Sequence, residues 1–122
     1  MELYITKENK LYVYGFSLQG YGFRNSNPSQ KDVVFISDDV VSAKSNQYDL
    51  IFKKRDGNLY ALRGESKNYY NELGPKFKNP TKEPKLLFEN VNSYALSSVN
   101  VAVVKNDGSL WVCGANDYPG LM

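Results

Sequence analysis

The chain has 122 residues, the length of one domain, and a net charge of only +2, which gives no strong electrostatic case for nucleic acid or a membrane surface. It contains no histidine, so the commonest general base and the commonest metal ligand are both missing. Its single cysteine, Cys113, excludes an internal disulfide, and no apolar run approaches the roughly 18 residues of a membrane-spanning helix.

The ten tyrosines and six phenylalanines favour strands. From the N-terminus, Glu2–Thr6 and Lys10–Tyr14 read as a hairpin around Lys7-Glu8-Asn9, with Asn9 able to adopt a left-handed backbone. Met1–Glu8 is too charged for a signal peptide, so a soluble protein inside the cell, cytoplasmic or nuclear, is expected. Gly15–Gln30 is polar and reads as loop. Asp32–Ile36 is a short β-branched strand, Ser37-Asp38-Asp39 a turn and Val40–Lys44 the next strand. Asp49–Lys53 and Asn58–Leu62 form a second hairpin around Arg55-Asp56-Gly57. Gly64–Pro84 is a long loop carrying Pro75, Pro80 and Pro84. Lys85–Phe88 and Val91–Ala95 are strands around Glu89-Asn90. Val101–Val104 and Leu110–Cys113 make the last hairpin, around Asn106-Asp107-Gly108.

The hairpins are copies of one another. Asp56-Gly57-Asn58-Leu59-Tyr60-Ala61-Leu62-Arg63-Gly64 recurs as Asp107-Gly108-Ser109-Leu110-Trp111-Val112-Cys113-Gly114, and an earlier copy is Glu8-Asn9-Lys10-Leu11-Tyr12-Val13-Tyr14-Gly15. Leu11 precedes Leu59 by 48 residues and Leu59 precedes Leu110 by 51. A period of about 40–50 residues in a β-rich sequence marks propeller blades. The 51-residue offset holds from Val40 and Val91 past the turns to Tyr60 and Trp111, then slips by one because Arg63 finds no counterpart before Gly114, which suggests a bulge at Arg63. Strands such as Leu50-Ile51-Phe52 and Val101-Ala102-Val103-Val104 are apolar on both faces, as expected where a blade has a neighbour on each side.

These units resemble the regulator of chromosome condensation repeat family. Gly114-Ala115-Asn116-Asp117-Tyr118-Pro119-Gly120-Leu121-Met122 keeps the first glycine, the asparagine and the leucine of its Gly-x-Asn-x-x-Gly-x-Leu-Gly signature, with Pro119 and Met122 where glycine is usual. Gly15-Phe16-Ser17-Leu18-Gln19-Gly20 keeps two glycines, and Gly64–Gly74 is longer but ends Asn71-Glu72-Leu73-Gly74. The family's frequent histidine falls on Met1, Asp49 and Asn100. The resemblance implies blades of four antiparallel strands in a seven-bladed ring. Ten strands make about two and a half blades. The expected fold is therefore all-β: a partial β-propeller of four-stranded antiparallel blades, one repeat domain over 1–122, with units near 1–48, 49–99 and 100–122. It starts at a second strand and stops before a fourth. Either the chain is a piece of a larger propeller or it is a short protein that stops open; in the second case the open edges, Met1–Ile5 at one end and Leu110–Met122 at the other, invite strand addition or a partner.

No catalytic constellation emerges. Asp38-Asp39 sits in a turn, where acidic residues are common. Ser42, Ser93, Ser97 and Ser98 have no histidine to activate them. No cofactor and no metal site is expected, and Cys113 reads as a core filler. The candidate interaction residues lie in loops: Phe23 and Arg24, Tyr69 and Tyr70, and the basic run with Lys76, Phe77, Lys78 and Lys82, whose lysines and aromatic could meet phosphates or an acidic protein. The leading reading is a non-enzymatic protein-interaction module, either a small inhibitor or a subunit of a larger assembly, with a protein partner or self-association. RNA or ribonucleoprotein binding through the lysine loop is an alternative. A fragment of a guanine nucleotide exchange factor for a small GTPase, which the family implies, is another. Leu59, Leu110, Trp111, Phe52 and Val103 are expected to be buried between blades.

Overall fold

A computed structural model describes residues 2–14, 33–46, 49–63, 73, 83–98 and 100–114. Every regular element among them is a strand. These are β1 (Glu2–Ile5), β2 (Leu11–Tyr14), β3 (Val34–Ser37), β4 (Val40–Ser45), β5 (Asp49–Lys54), β6 (Leu59–Arg63), β7 (Lys85–Phe88), β8 (Val91–Leu96), β9 (Asn100–Lys105) and β10 (Leu110–Gly114). They form three antiparallel meanders: β1-β2-β3, β4-β5-β6-β7 and β8-β9-β10. The expected ten strands, in groups of three, four and three, are all present, and the middle sheet is a complete four-stranded blade.

Turn chemistry sets the hairpins. Asn9, Gly57 and Gly108 all have left-handed backbones, with φ of 63°, 85° and 89°. The connections before β4 and β8 use the same device at Asp39 and Asn90, with φ of 55° and 57°. Such angles cost little for glycine, asparagine and aspartate and much for other residues.

Alternation gives each blade two faces. The front face carries Leu11 and Val13 in the first blade, Leu59 and Ala61 in the second, and Leu110 and Val112 in the third. The back face carries Tyr12 and Tyr14, then Tyr60 and Leu62, then Trp111 and Cys113. Two cores follow. The first joins Leu11, Val13, Val34 and Ile36 on the front of blade one to Val40, Leu50, Phe52 and Leu62 on the back of blade two. The second joins Ile51, Leu59, Ala61 and Leu73 to Val91, Val101 and Val103 on the back of blade three. The middle blade is thus buried on both sides, which explains the apolar run Leu50-Ile51-Phe52.

Backbone contacts repeat the same relation. The turn of one blade docks on the first strand of the next: the Val40 N–H donates to the Asn9 carbonyl at 2.8 Å, and the Val91 N–H donates to the Gly57 carbonyl at 2.8 Å. Arg55 and Asn106 then donate their N–H groups to the Asp39 and Asn90 carbonyls, each at 2.9 Å. Ser42 on the front of blade two meets Tyr94 on the back of blade three, hydroxyl to hydroxyl at 2.7 Å.

The register corrects one expectation. Asp49 pairs with Arg63 and Asn100 with Gly114, so the 51-residue offset runs unbroken to the strand ends. Arg63 itself occupies the position of Gly114, and the β5–β6 ladder has no bulge there. The irregularities lie elsewhere: between Leu11 and Tyr12 against β3, Val40 and Ser42 against β5, Leu59 and Tyr60 against β7, and Val91 and Ser93 against β9.

Candidate interaction surface

All eight loop candidates, Phe23, Arg24, Tyr69, Tyr70, Lys76, Phe77, Lys78 and Lys82, lie outside the described residues. Asp38 and Asp39 form the expected turn, and Asp38 faces the Lys54 ammonium at 3.7 Å across an exposed surface. Among the described residues no group of three or more histidine, cysteine, aspartate or glutamate side chains could hold a metal ion. No helix among them is long and apolar enough to cross a membrane.

The surface that stands out was expected to be core. Leu59, Phe52 and Val103 are fully buried, as expected, but Leu110 is 66% exposed, Val112 55% and Trp111 49%. The reason is positional. Leu59 and Ala61 are covered by Val91, Val101 and Val103 of the next blade, whereas no described residue stacks on the front of blade three. Trp111 points to the back of that blade but sits on β10, the edge strand of its sheet. There its indole N–H donates to Ser109 Oγ at 2.9 Å, and the Lys105 ammonium lies 5.1 Å from its ring. Cys113 is half-buried and packs against the second core, close to its expected role.

The front of blade three is one cross-strand patch. Register places Leu110 beside Val104, Val112 beside Ala102, Ala102 beside Ala95 and Val104 beside Ser93. Its equivalents on the covered front of blade two include Lys44 at the place of Ala95 and Lys53 at the place of Val104. The uncovered face is therefore more apolar than the covered one. This inverts the usual relation between exposure and composition.

The opposite end of the array has another chemistry. The back of blade one carries Glu2, Tyr4, Tyr12, Tyr14 and Phe35, where blade two has Leu50, Phe52, Tyr60 and Leu62 along its hairpin. Tyr4 and Phe35 are both exposed. The Tyr4 hydroxyl donates to the Glu2 carboxylate at 2.6 Å, and this bond to an anion raises the phenol pKa. Tyr12 and Phe35 pack edge to face at 5.6 Å, with the Lys10 ammonium 5.7 Å from the Phe35 ring. An open groove of about 340 Å³ runs between β7 and β9, lined by Leu86, Leu87, Phe88, Glu89, Asn90 and Lys105.

One charged pair is fully buried. Arg63 donates from Nε to Asp49 Oδ1 and from its terminal nitrogen to Oδ2, both at 3.0 Å, with neither side chain exposed. This two-pronged geometry is the strongest form of the interaction. Asp49 occupies the position where the resembled repeat usually has histidine, so in this blade an ion pair joins the start of β5 to the end of β6. The pairing is legible once the hairpin register is counted outward from Gly57.

The turn carboxylates are tuned locally. At Asp56 burial pushes the pKa up, but the Asn58 N–H at 2.8 Å, the Tyr60 hydroxyl at 2.7 Å and the Lys54 charge outweigh it, and the net shift is downward. The Asp107 carboxyl is held down first by the Ser109 hydroxyl at 2.6 Å and then by the Ser109 N–H at 2.9 Å.

No protein-family profile and no curated protein matches this sequence. Solved structures do match. Human WBSCR16 superimposes over 92% of this chain with a TM-score of 0.67 at 19% identity, using 30% of that protein. Yeast RCC1 (Prp20), seen bound to Kap60, matches over the same share with a TM-score of 0.67 at 21% identity, using 29% of its chain. Prp20p of Saccharomyces cerevisiae, in a structure described together with its binding to Gsp1p and histones, gives 0.65 at 20% identity and 30% of its length. The chain thus spans about three tenths of the solved proteins it matches. The blades, their strand order and their stacking are those of the regulator of chromosome condensation repeat fold.

Proposed function

We propose that this chain is a non-enzymatic protein-interaction module, and that its binding surface includes the apolar front of blade three. One observation carries the reading: Leu110 and Val112 head an uncovered face that is more apolar than its covered counterpart on blade two. Contiguous exposed apolar surface of this kind marks interaction sites. Support comes from the fold, since Prp20 is described with three protein partners, Kap60, Gsp1p and histones. An intracellular setting fits a small β domain with one cysteine and no disulfide framework. The nucleic-acid reading rests on loop residues outside the described ones, and the exchange-factor reading rests on the family resemblance and on the described binding of Prp20p to Gsp1p.

The test is capture from a native extract with the wild-type chain and with Val112→Lys, followed by mass measurement of the complexes. Val112 is exposed, so the substitution should leave the fold intact. A partner held by the wild type and released by Val112→Lys supports the proposal. Equal capture by both chains, or capture by neither, counts against it.

A further inference from the structure

We infer that Asn46 latches blade three to blade two at one end of their seam, and that the buried Asp49–Arg63 pair sets the aim of this latch.

Polar contacts cross the seam in order along its strands. At the rim of the tight turns the Val91 N–H donates to the Gly57 carbonyl at 2.8 Å. Next the Lys53 ammonium donates to the Asn92 carbonyl at 3.3 Å, and then Ser42 and Tyr94 share their hydroxyl contact. At the opposite rim the Asn46 side-chain amide donates to the Ser97 carbonyl at 3.1 Å. The first contact is made by the backbones of both blades. The last hangs on one half-buried side chain.

The orientation of that side chain is fixed from within blade two. Its Oδ1 accepts the Asp49 N–H at 2.7 Å, and the Asn46 N–H donates to the Asp49 carbonyl at 3.0 Å. With Oδ1 committed to its own turn, the planar amide leaves Nδ2 to donate across the seam. Asp49 is held in turn by the two-pronged bond from Arg63. A chain of contacts therefore runs from the end of β6, through Asp49 and Asn46, into the β8–β9 turn of the next blade.

Blade three has the same turn with different residues. Ser97 stands at the place of Asn46, Asn100 at that of Asp49 and Gly114 at that of Arg63. The Ser97 hydroxyl accepts the Asn100 N–H at 2.9 Å. It carries donor and acceptor on one atom, whereas the Asn46 amide separates them onto two arms. No charge pair joins Asn100 to Gly114, so the turn of blade three takes support from the pair of blade two through Asn46.

The experiment is residue-resolved amide hydrogen exchange on the full chain. Asn46→Ser copies the turn residue of blade three: it keeps an acceptor for the Asp49 N–H and removes the donor to Ser97. Loss of one ordinary hydrogen bond should speed exchange about three- to tenfold at the Ser97 and Asn100 amides. The Val91 amide, at the far end of the seam, should exchange as in the wild type. Asp49→Leu with Arg63→Met removes the charges while filling their space, and should speed the same two amides. Combined with Asn46→Ser it should add nothing there, because the pair acts on that turn through Asn46. Unchanged exchange at Ser97 and Asn100 in Asn46→Ser overturns the inference. So does an equal rise at Val91, the mark of general loosening. A paired replacement that has no effect on these amides, or one that adds its full effect to Asn46→Ser, overturns the role given to the pair.

Discussion

The second and third blades are nearly the same hairpin in two different settings. Leu59 and Leu110 follow the same turn, pair at the same register and face the same side of their sheets. One is fully buried and the other two-thirds exposed. The difference lies in what stands next to the strand and not in the strand itself. Turn conformation, ladder register and alternation are local properties that both blades share. Burial is supplied by a neighbour, and among the described residues blade three has one on its back only.

The largest effect should come from the feature that blade two has and blade three lacks. Arg63→Ala leaves the Asp49 carboxylate buried without its two-pronged partner, and a loss of about 3–5 kcal/mol in denaturant unfolding is expected. The paired replacement Asp49→Leu with Arg63→Met should recover most of that loss. If Arg63→Ala costs less than about 1 kcal/mol, the pair is not buried as described.

Next is the contrast between equivalent back-face positions. Phe52→Ala should cost about 3–5 kcal/mol, because it empties the first core beside Tyr60, with which it stacks at 5.9 Å. Tyr4→Ala, at the same place in blade one, should stay within about 0.5 kcal/mol when measured at concentrations too low for association. Similar losses at the two positions would mean that the back of blade one is also covered.

Backbone effects should not distinguish the blades. Gly57→Val and Gly108→Val each force a β-branched residue into a left-handed conformation, with no atom within 4 Å of either added Cβ. Both should cost about 1–2 kcal/mol, and by nearly equal amounts. The Gly57 carbonyl also accepts the Val91 N–H, so a somewhat larger loss at Gly57 would show strain passed to that bond, whereas a clearly larger loss at Gly108 would contradict the account.

The smallest effect is electrostatic. The Asp56 and Asp107 carboxyls are held below their usual range in the folded chain. A depressed folded pKa contributes stability that is present above the unfolded value near pH 4 and is lost as pH falls through the folded value. Asp107→Ala should therefore lower the unfolding midpoint slightly at pH 7 and leave it unchanged in strong acid. A difference between wild type and variant that persists below both pKa values would argue against this origin.

Much of the fold was legible because it is written in short-range signals. The repeat of Leu11, Leu59 and Leu110, the left-handed residues Asn9, Gly57 and Gly108, and the β-branched runs were enough to place ten strands and their grouping. Two things were hidden. The burial of Leu110 and Trp111 could not be read from a motif they share with Leu59 and Tyr60, because the covering blade is a tertiary fact. The pairing of Asp49 with Arg63 was obscured by aligning glycines: Gly64 was matched to Gly114, which concealed Arg63 at the true equivalent position. The loop candidates from Phe23 to Lys82 lie outside the described residues, whereas the exposed apolar face lies on β10, which its shared motif marks as core and its place at the end of an incomplete blade marks as an edge.

Leu59→Ala and Leu110→Ala, unfolded side by side by denaturant in dilute solution, test most directly the claim that two equivalent leucines differ in burial because of what stands next to them. The account predicts a loss of about 2–5 kcal/mol for Leu59→Ala and less than about 1 kcal/mol for Leu110→Ala. Equal losses at the two positions would contradict it.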